Sequence, residues 1–258
     1  MGWATEKIGR TLAGYLSKPN RHYEPFSITD HWDLLKYLEP GDVLLVEGNQ
    51  RISTAIKYLT QSTWSHAAIF VGDVLPVAAE EDEPKVLIEA LLRGGVVGSP
   101  LSEYAHFNTR ICRPTGLGPA ERAEVVAFMV ASLGMTYDVK NIVDLMRYLL
   151  PTPPVPTQLR RRMLALGSGD PTRAICSSLI ARAFQSVRYP ILPHVESQPV
   201  FDPVTSAYTV QEIHHIRHHS LFTPRDFDLS PYFEVVKPTL ERGFDHLEMI
   251  WGDGRDAA

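Results

Sequence analysis

Between residues 40 and 114 the apolar positions come in short runs separated by turn-forming residues. Val43 to Val46 is apolar throughout and follows the turn signal Pro40-Gly41, which predicts a buried strand. "RISTAIKYLTQ" carries Ile52, Ile56 and Leu59 at helical spacing. "WSHAAIFVGD" is again a strand and ends at Gly72-Asp73. "VLPVAAEEDEPK" is an acidic hairpin connection, and "VLIEALLRGGVV" and "NTRICRP" are two further strands. Strands joined this closely predict a mostly antiparallel sheet. "PAERAEVVAFMVASLG" is a helix opened by Pro119 and closed by Gly134, and "YDVKNIVDLMRYLL" is another. In the helix that begins at "RAICSSLIARAF", Cys176, Leu179, Ile180, Ala183, Phe184 and Val187 share one stripe, which faces inward.

Two stretches break the pattern. Residues 1 to about 30 are a polar leader with a short amphipathic helix at its start. "PTPPVPTQLRRRMLALGSGDPTR" is Pro-rich, then basic, then Gly/Asp-rich, and cannot be one regular element. It is a surface loop with a short helix or a lid that runs into Cys176. Its Arg160 to Met163 stretch, "RRRM", is a solvated charge run or an anion contact.

Composition narrows the classes. The chain has 258 residues, 44% hydrophobic and 21% charged, an ordinary globular balance. A net charge of −5 argues against general nucleic-acid binding. The N-terminus lacks the apolar region and cleavage site of a secretory signal. No apolar run approaches the ~18 residues of a membrane span. The expectation is a soluble, cytoplasmic protein. Two cysteines make no disulfide framework and suit a reducing compartment, or one reactive thiol beside one bland one.

Candidate chemistry centres on Cys176. It stands at the N-terminal end of its helix, where free N–H groups and the helix dipole favour an anion. A thiol there has a lowered pKa and is a usable nucleophile; the alternative is a small buried hydrophobe. Catalysis also needs a base. Among ten histidines, His66 leads, at the edge of an apolar strand, with small Ala68 leaving room for a partner; the alternative is a core-edge histidine bonded to backbone. Glu89 is a carboxylate inside "VLIEALL". Buried carboxylates need partners, so it either orients His66 or faces water at a sheet edge. Together the three fit a Cys–His–Glu triad. Cys112 lies mid-strand without a base and is a packing residue. "HHIRHH" (His214, His215, His218, His219) would offer a metal-binding face if helical, but a solvated loop or helix is the better reading. No metal and no cofactor is assigned.

"GDVLLVEG", "STWSHAAIFVG", "VLIEALLRGGVV", "ICSSLIARAF" and "TPRDFDLSPYFEVVK" together resemble the permuted NlpC/P60 papain-like cysteine hydrolases, most nearly the YiiX/YebB-like subgroup. The resemblance covers about residues 36 to 237. The order His66, Glu89, Cys176 is that of a circularly permuted papain-like fold. The resemblance implies an α+β fold: a small antiparallel sheet or barrel carrying the base, packed on a helical part carrying the nucleophile. It divides the chain into a leader (1–35), a catalytic domain (36–237, with 151–174 as loop or lid) and a C-terminal tail (238–258). It implies Cys176 as nucleophile, His66 as general base, Glu89 as the orienting residue, and Tyr137 as an oxyanion or substrate contact; Tyr137 otherwise packs at a helix start. The backbone N–H of Cys176 would also donate to an oxyanion.

The functional expectation is a cysteine hydrolase that cleaves an amide or ester through an acyl-enzyme, on a peptide or amino-acyl amide. The alternatives are lipid acyl transfer or thioesterase action, with peripheral membrane contact through the basic insertion, and a papain-like scaffold that binds a ligand or partner without turnover. The long insertion before Cys176 departs from the family pattern and leaves access to the site open.

Overall fold

The computed structural model describes residues 18–19, 23–25, 31–77, 83–91, 94–136, 175–202 and 207–248. Tyr137, the helix expected from Tyr137 onward, the 151–174 insertion with its arginines, and the helix expected at the start of the leader lie outside the described residues.

Helix α1 (His31–Tyr37) leads into β1 (Val43–Val46), α2 (Arg51–Thr60) and β2 (His66–Phe70). Strands β3 (Lys85–Leu91) and β4 (Gly95–Pro100) follow, then a 3-10 turn (Leu101–Tyr104), β5 (Thr109–Pro114) and α3 (Pro119–Ala131). After the insertion come α4 (Ile175–Ser186), the strands β6 (His194–Asp202) and β7 (Ala207–His215), α5 (Pro224–Leu229), β8 (Phe233–Val236) and α6 (Pro238–Glu241). Six strands form one sheet in the order β4-β3-β2-β1-β5-β8, every neighbouring pair antiparallel. Among the described residues, β6 and β7 pair only with each other. The fold is α+β, with the sheet and the helical part that the sequence implied.

The sheet is covered on both faces, as its apolar strands require. Successive side chains point to opposite faces, so one strand feeds two cores. Val43, Leu45, Ala67, Ile69 and Ile88 pack with Val125 and Met129 of α3 and with Leu179, Ile180, Ala183 and Phe184 of α4. Leu44, Val46, Ala68, Phe70 and Leu87 pack with Leu34, Leu38, Leu101 and Tyr104. Burying each large apolar side chain contributes roughly 1.5–3 kcal/mol, so α4 is held by its buried stripe.

"VLIEALLRGGVV" is two strands where one was expected. It bends at Gly94 and Gly95, whose φ of +100° and +73° other residues rarely adopt. At Gly95 a Cβ would also stand 2.1 Å from the carbonyl oxygen of Met135. The bend gives β3 a partner on each side, which places Glu89 inside the sheet rather than at an edge.

The histidine cluster is not helical. His214 and His215 end β7, on opposite faces of a strand, and His219 opens a 3-10 turn. Cross-strand pairing with β6 takes this segment's backbone hydrogen bonds, so no i, i+4 face forms. Among the described residues no group of three or more His, Cys, Asp or Glu side chains gathers as a metal would need. Nor, among them, is any helix long and apolar enough to cross a membrane.

Candidate active site

His66 is the first residue of β2, where the apolar run begins. Its backbone is fixed through β1. Ser65 donates its N–H to the carbonyl of Val46 at 3.1 Å, and Val46 is the register partner of His66 on β1. Trp64, just ahead, donates its indole N–H to Asp228 of α5 at 3.1 Å. Arg110 of β5 donates to the other oxygen of Asp228 at 2.5 Å, and its guanidinium lies 4.9 Å from the centre of the Trp64 ring. This clamp joins residues far apart in sequence and anchors the entry to β2.

Glu89 lies directly across from Ala68 in the β2–β3 register. The small Ala68 leaves the space into which His66, two residues back on the same face, and Glu89 converge. Nε2 of His66 is hydrogen-bonded to Oε2 of Glu89. Glu89 is 1% exposed, and a buried carboxylate must be paired. The same Oε2 accepts a second hydrogen bond, 2.5 Å long, from the hydroxyl of Tyr104. The hydroxyl of Ser99, on β4, lies close enough to favour the charged carboxylate, while among the described residues Oε1 has no hydrogen bond of ordinary geometry.

Cys176 comes from the other core. It is 5% exposed, one residue inside the start of α4, and its thiol lies close enough to His66 for the imidazole to lower it. The site therefore straddles the sheet, with Cys176 among the side chains of one face and Tyr104 among those of the other.

The charges reinforce one another. Burial by itself would raise the Cys176 thiol. The charge of His66, its hydrogen bond, and backbone hydrogen bonds from Ala67 and Ser177 outweigh that and hold the thiol below its ordinary value. Burial would lower the imidazole, but Cys176 and then Glu89 hold His66 well above its ordinary value. Burial would raise Glu89; the charge and hydrogen bond of His66, with the Ser99 and Tyr104 hydroxyls, hold it low. The arrangement favours a thiolate–imidazolium pair. Such a pair supplies a nucleophile and an acid at neutral pH without any further group.

The structure thus brings together Cys176, His66 and Glu89, all three read from the sequence, while Tyr137 lies outside the described residues. Tyr104 is the residue that sequence reasoning missed. It falls in "LSEYAHF", which carries neither a strand nor a helix period. The one usable cue was that a carboxylate buried in a sheet needs more than one donor, to be sought on the next strand and its exit.

Residues 37–148 match the family described as permuted papain-like amidase enzymes, YaeF/YiiX, C92 family. The matched stretch contains His66, Glu89 and Tyr104 and ends before Cys176. A crystal structure described as the metalloprotein yiiX from Escherichia coli O157:H7 aligns at 15% identity over 77% of this chain and 96% of its own, with a TM-score of 0.43. No curated protein matches the chain. The matched family is one of enzymes, of the amidase kind. With its α+β fold of an antiparallel sheet and helices, residues 37–148 of this chain are similar to the permuted papain-like amidases of the YaeF/YiiX family.

Proposed function

We propose that the protein is a cysteine hydrolase acting on an amide bond through a Cys176–His66–Glu89 triad. The observation that carries this reading is His66, hydrogen-bonded to the buried Glu89 and close enough to Cys176 to lower its thiol. The Cys176 thiolate attacks the carbonyl carbon, forming a C–S bond and a tetrahedral oxyanion. The N–H groups at the start of α4 face the developing negative charge. As the C–N bond breaks, the His66 imidazolium gives its proton to the leaving amine. Neutral His66 then takes a proton from water, the hydroxide attacks the thioester, and the acid leaves as the thiolate re-forms its pair with the protonated His66. Glu89 holds the imidazole in its tautomer and steadies its positive charge.

The test is alkylation by iodoacetamide near neutral pH, read residue by residue by mass spectrometry. Cys176 is expected to react at least about a hundredfold faster than Cys112 in the folded protein; equal rates overturn the nucleophile. Incubation with peptide amides, followed by detection of an acyl adduct on Cys176, then tests the amide assignment. An adduct formed only with phospholipids would replace it with lipid acyl chemistry.

A further inference from the structure

We propose that Tyr104 is a positioning residue of this site, whose hydroxyl fixes Glu89 so that one carboxylate oxygen serves His66. The proposal rests on the reading of Cys176 and His66 as nucleophile and base. The terminal torsion of a glutamate is soft, and one hydrogen bond to an imidazole does not by itself fix it. Here Oε2 is held from two elements at once: by His66 of β2, and by Tyr104 of the 3-10 turn at 2.5 Å.

The Ser99 hydroxyl is the other donor near the carboxylate, but among the described residues Oε1 makes no hydrogen bond of ordinary geometry, so the two bonds at Oε2 are the direct ones that hold it. The Tyr104 ring also lies over the imidazole, nearly parallel at 29°, with centroids 6.1 Å apart. Phe107 meets the ring edge-on at 6.1 Å, and Tyr23 packs on Phe107 at 5.7 Å. An apolar ring alone would fill this space. The hydroxyl is what distinguishes tyrosine from phenylalanine here, and it is directed at Glu89.

Tyr104 is suited to the role chemically. Burial, with the charge of Glu89 and the hydrogen bond to it, keeps the phenol protonated far beyond its ordinary range, so it donates at every working pH. A donor to the charged carboxylate disfavours its protonation, which leaves the shared proton on His66. The charged and titratable groups around Glu89 are His66 from β2, Cys176 from α4, and Tyr104 and Glu103 from the turn, with the Ser99 hydroxyl from β4. Of these, Glu103 is the one carboxylate, and it acts by charge alone.

The experiment is the pH profile of Cys176 alkylation by iodoacetamide in the full chain, with thermal melting measured alongside. Tyr104→Phe keeps the ring and removes the donor. Its rate near neutral pH is expected to fall about tenfold, the size of one charge-assisted hydrogen bond. The acidic limb should move to higher pH, because Glu89 takes up a proton more readily. Genetically encoded 3-fluorotyrosine at position 104, a stronger donor of nearly the same shape, should move that limb to lower pH. It also decides the question should the phenylalanine variant fail to fold. A profile unmoved in either variant, even with a lower melting temperature, reduces Tyr104 to packing and overturns the proposal. Slow alkylation of Cys176 in the unaltered protein is a different result, since it would remove the nucleophile itself.

Discussion

Cys112 and Cys176 are the same side chain in two settings that differ little in burial, 0% and 5% exposed. Cys112 lies mid-strand in β5, paired in register with Val43 on one side and Val235 on the other. Burial pushes its thiol far up; the charges of Asp228 and Asp42 push the same way and that of Arg110 opposes them. Cys176 lies in the first turn of α4, and there the net shift is downward. Burial raises both thiols. What separates them is a hydrogen-bonded imidazolium, itself held charged by a buried carboxylate. Burial silences one thiol and, by strengthening the pull of His66 in a weakly polarisable interior, activates the other.

The contrast is broken most severely at its base. His66→Ala is expected to lower hydrolysis about 10²–10⁴-fold and to remove the preference of iodoacetamide for Cys176, while Cys112 stays protected. Residue-resolved labelling checks it. A preference kept intact in that variant would mean that the helix terminus alone activates the thiol.

Glu89→Ala comes next. It leaves the space opposite Ala68 without a charge partner for His66, and removing one member of a buried pair costs about 3–5 kcal/mol. Denaturant melts measure that loss. The pH dependence has a definite sign. Glu89 is held below its ordinary value, so its stabilisation is complete above the unfolded value of 4.5 and is lost as pH falls through the lowered folded one. His66 is held above its ordinary value, so its stabilisation is complete below 6.5 and fades as pH rises through the raised folded one. Cys176, held below its ordinary value, gains stabilisation as pH rises toward 9.0 and so opposes the His66 loss on the alkaline side. Melting temperature should therefore decline most clearly on the acid side in the unaltered protein, and less steeply there in Glu89→Gln.

Cys112→Ser sharpens the contrast from the other side. It sets a hydroxyl among apolar neighbours, at a cost of about 1–3 kcal/mol, and should leave the alkylation rate of Cys176 unchanged once the fold is intact. The smallest effect is expected at His215, which is exposed and meets Glu196 at 3.3 Å. His215→Ala should change stability by no more than about 0.5 kcal/mol and leave the labelling contrast untouched.

Much of this site could be read from single elements. The stripe of α4 fixed which face of the helix is buried, and its first turn marked Cys176. Alternation in "SHAAIFVG" put His66 on the same face as Ala68, and a carboxylate within "VLIEALL" announced a partner. What local pattern could not supply was the pairing. Glu89 meets His66 only because β3 pairs with β2 in the register that sets Ala68 opposite Glu89. The Asp228 clamp on Trp64 and Arg110 spans separations that no periodicity encodes. The β6–β7 hairpin was not foreseen, and the histidines at its end were read as loop or helix, because alternation there is blurred by polar residues on both faces.

The sequence by itself determined the strands β1, β2, β3 and β5, the inward face of α4, and the residue types a thiol site requires, since these follow from the periods of 2 and 3.6 and from the cost of burying charge. Only the tertiary structure decided which carboxylate oxygen takes the imidazole, that Tyr104 shares it, and that one buried thiol is lowered while the other is raised. Those outcomes depend on contacts of a few ångströms between elements far apart in the chain. Coulombic and hydrogen-bond energies fall away over such distances, so they cannot be read until the elements are packed.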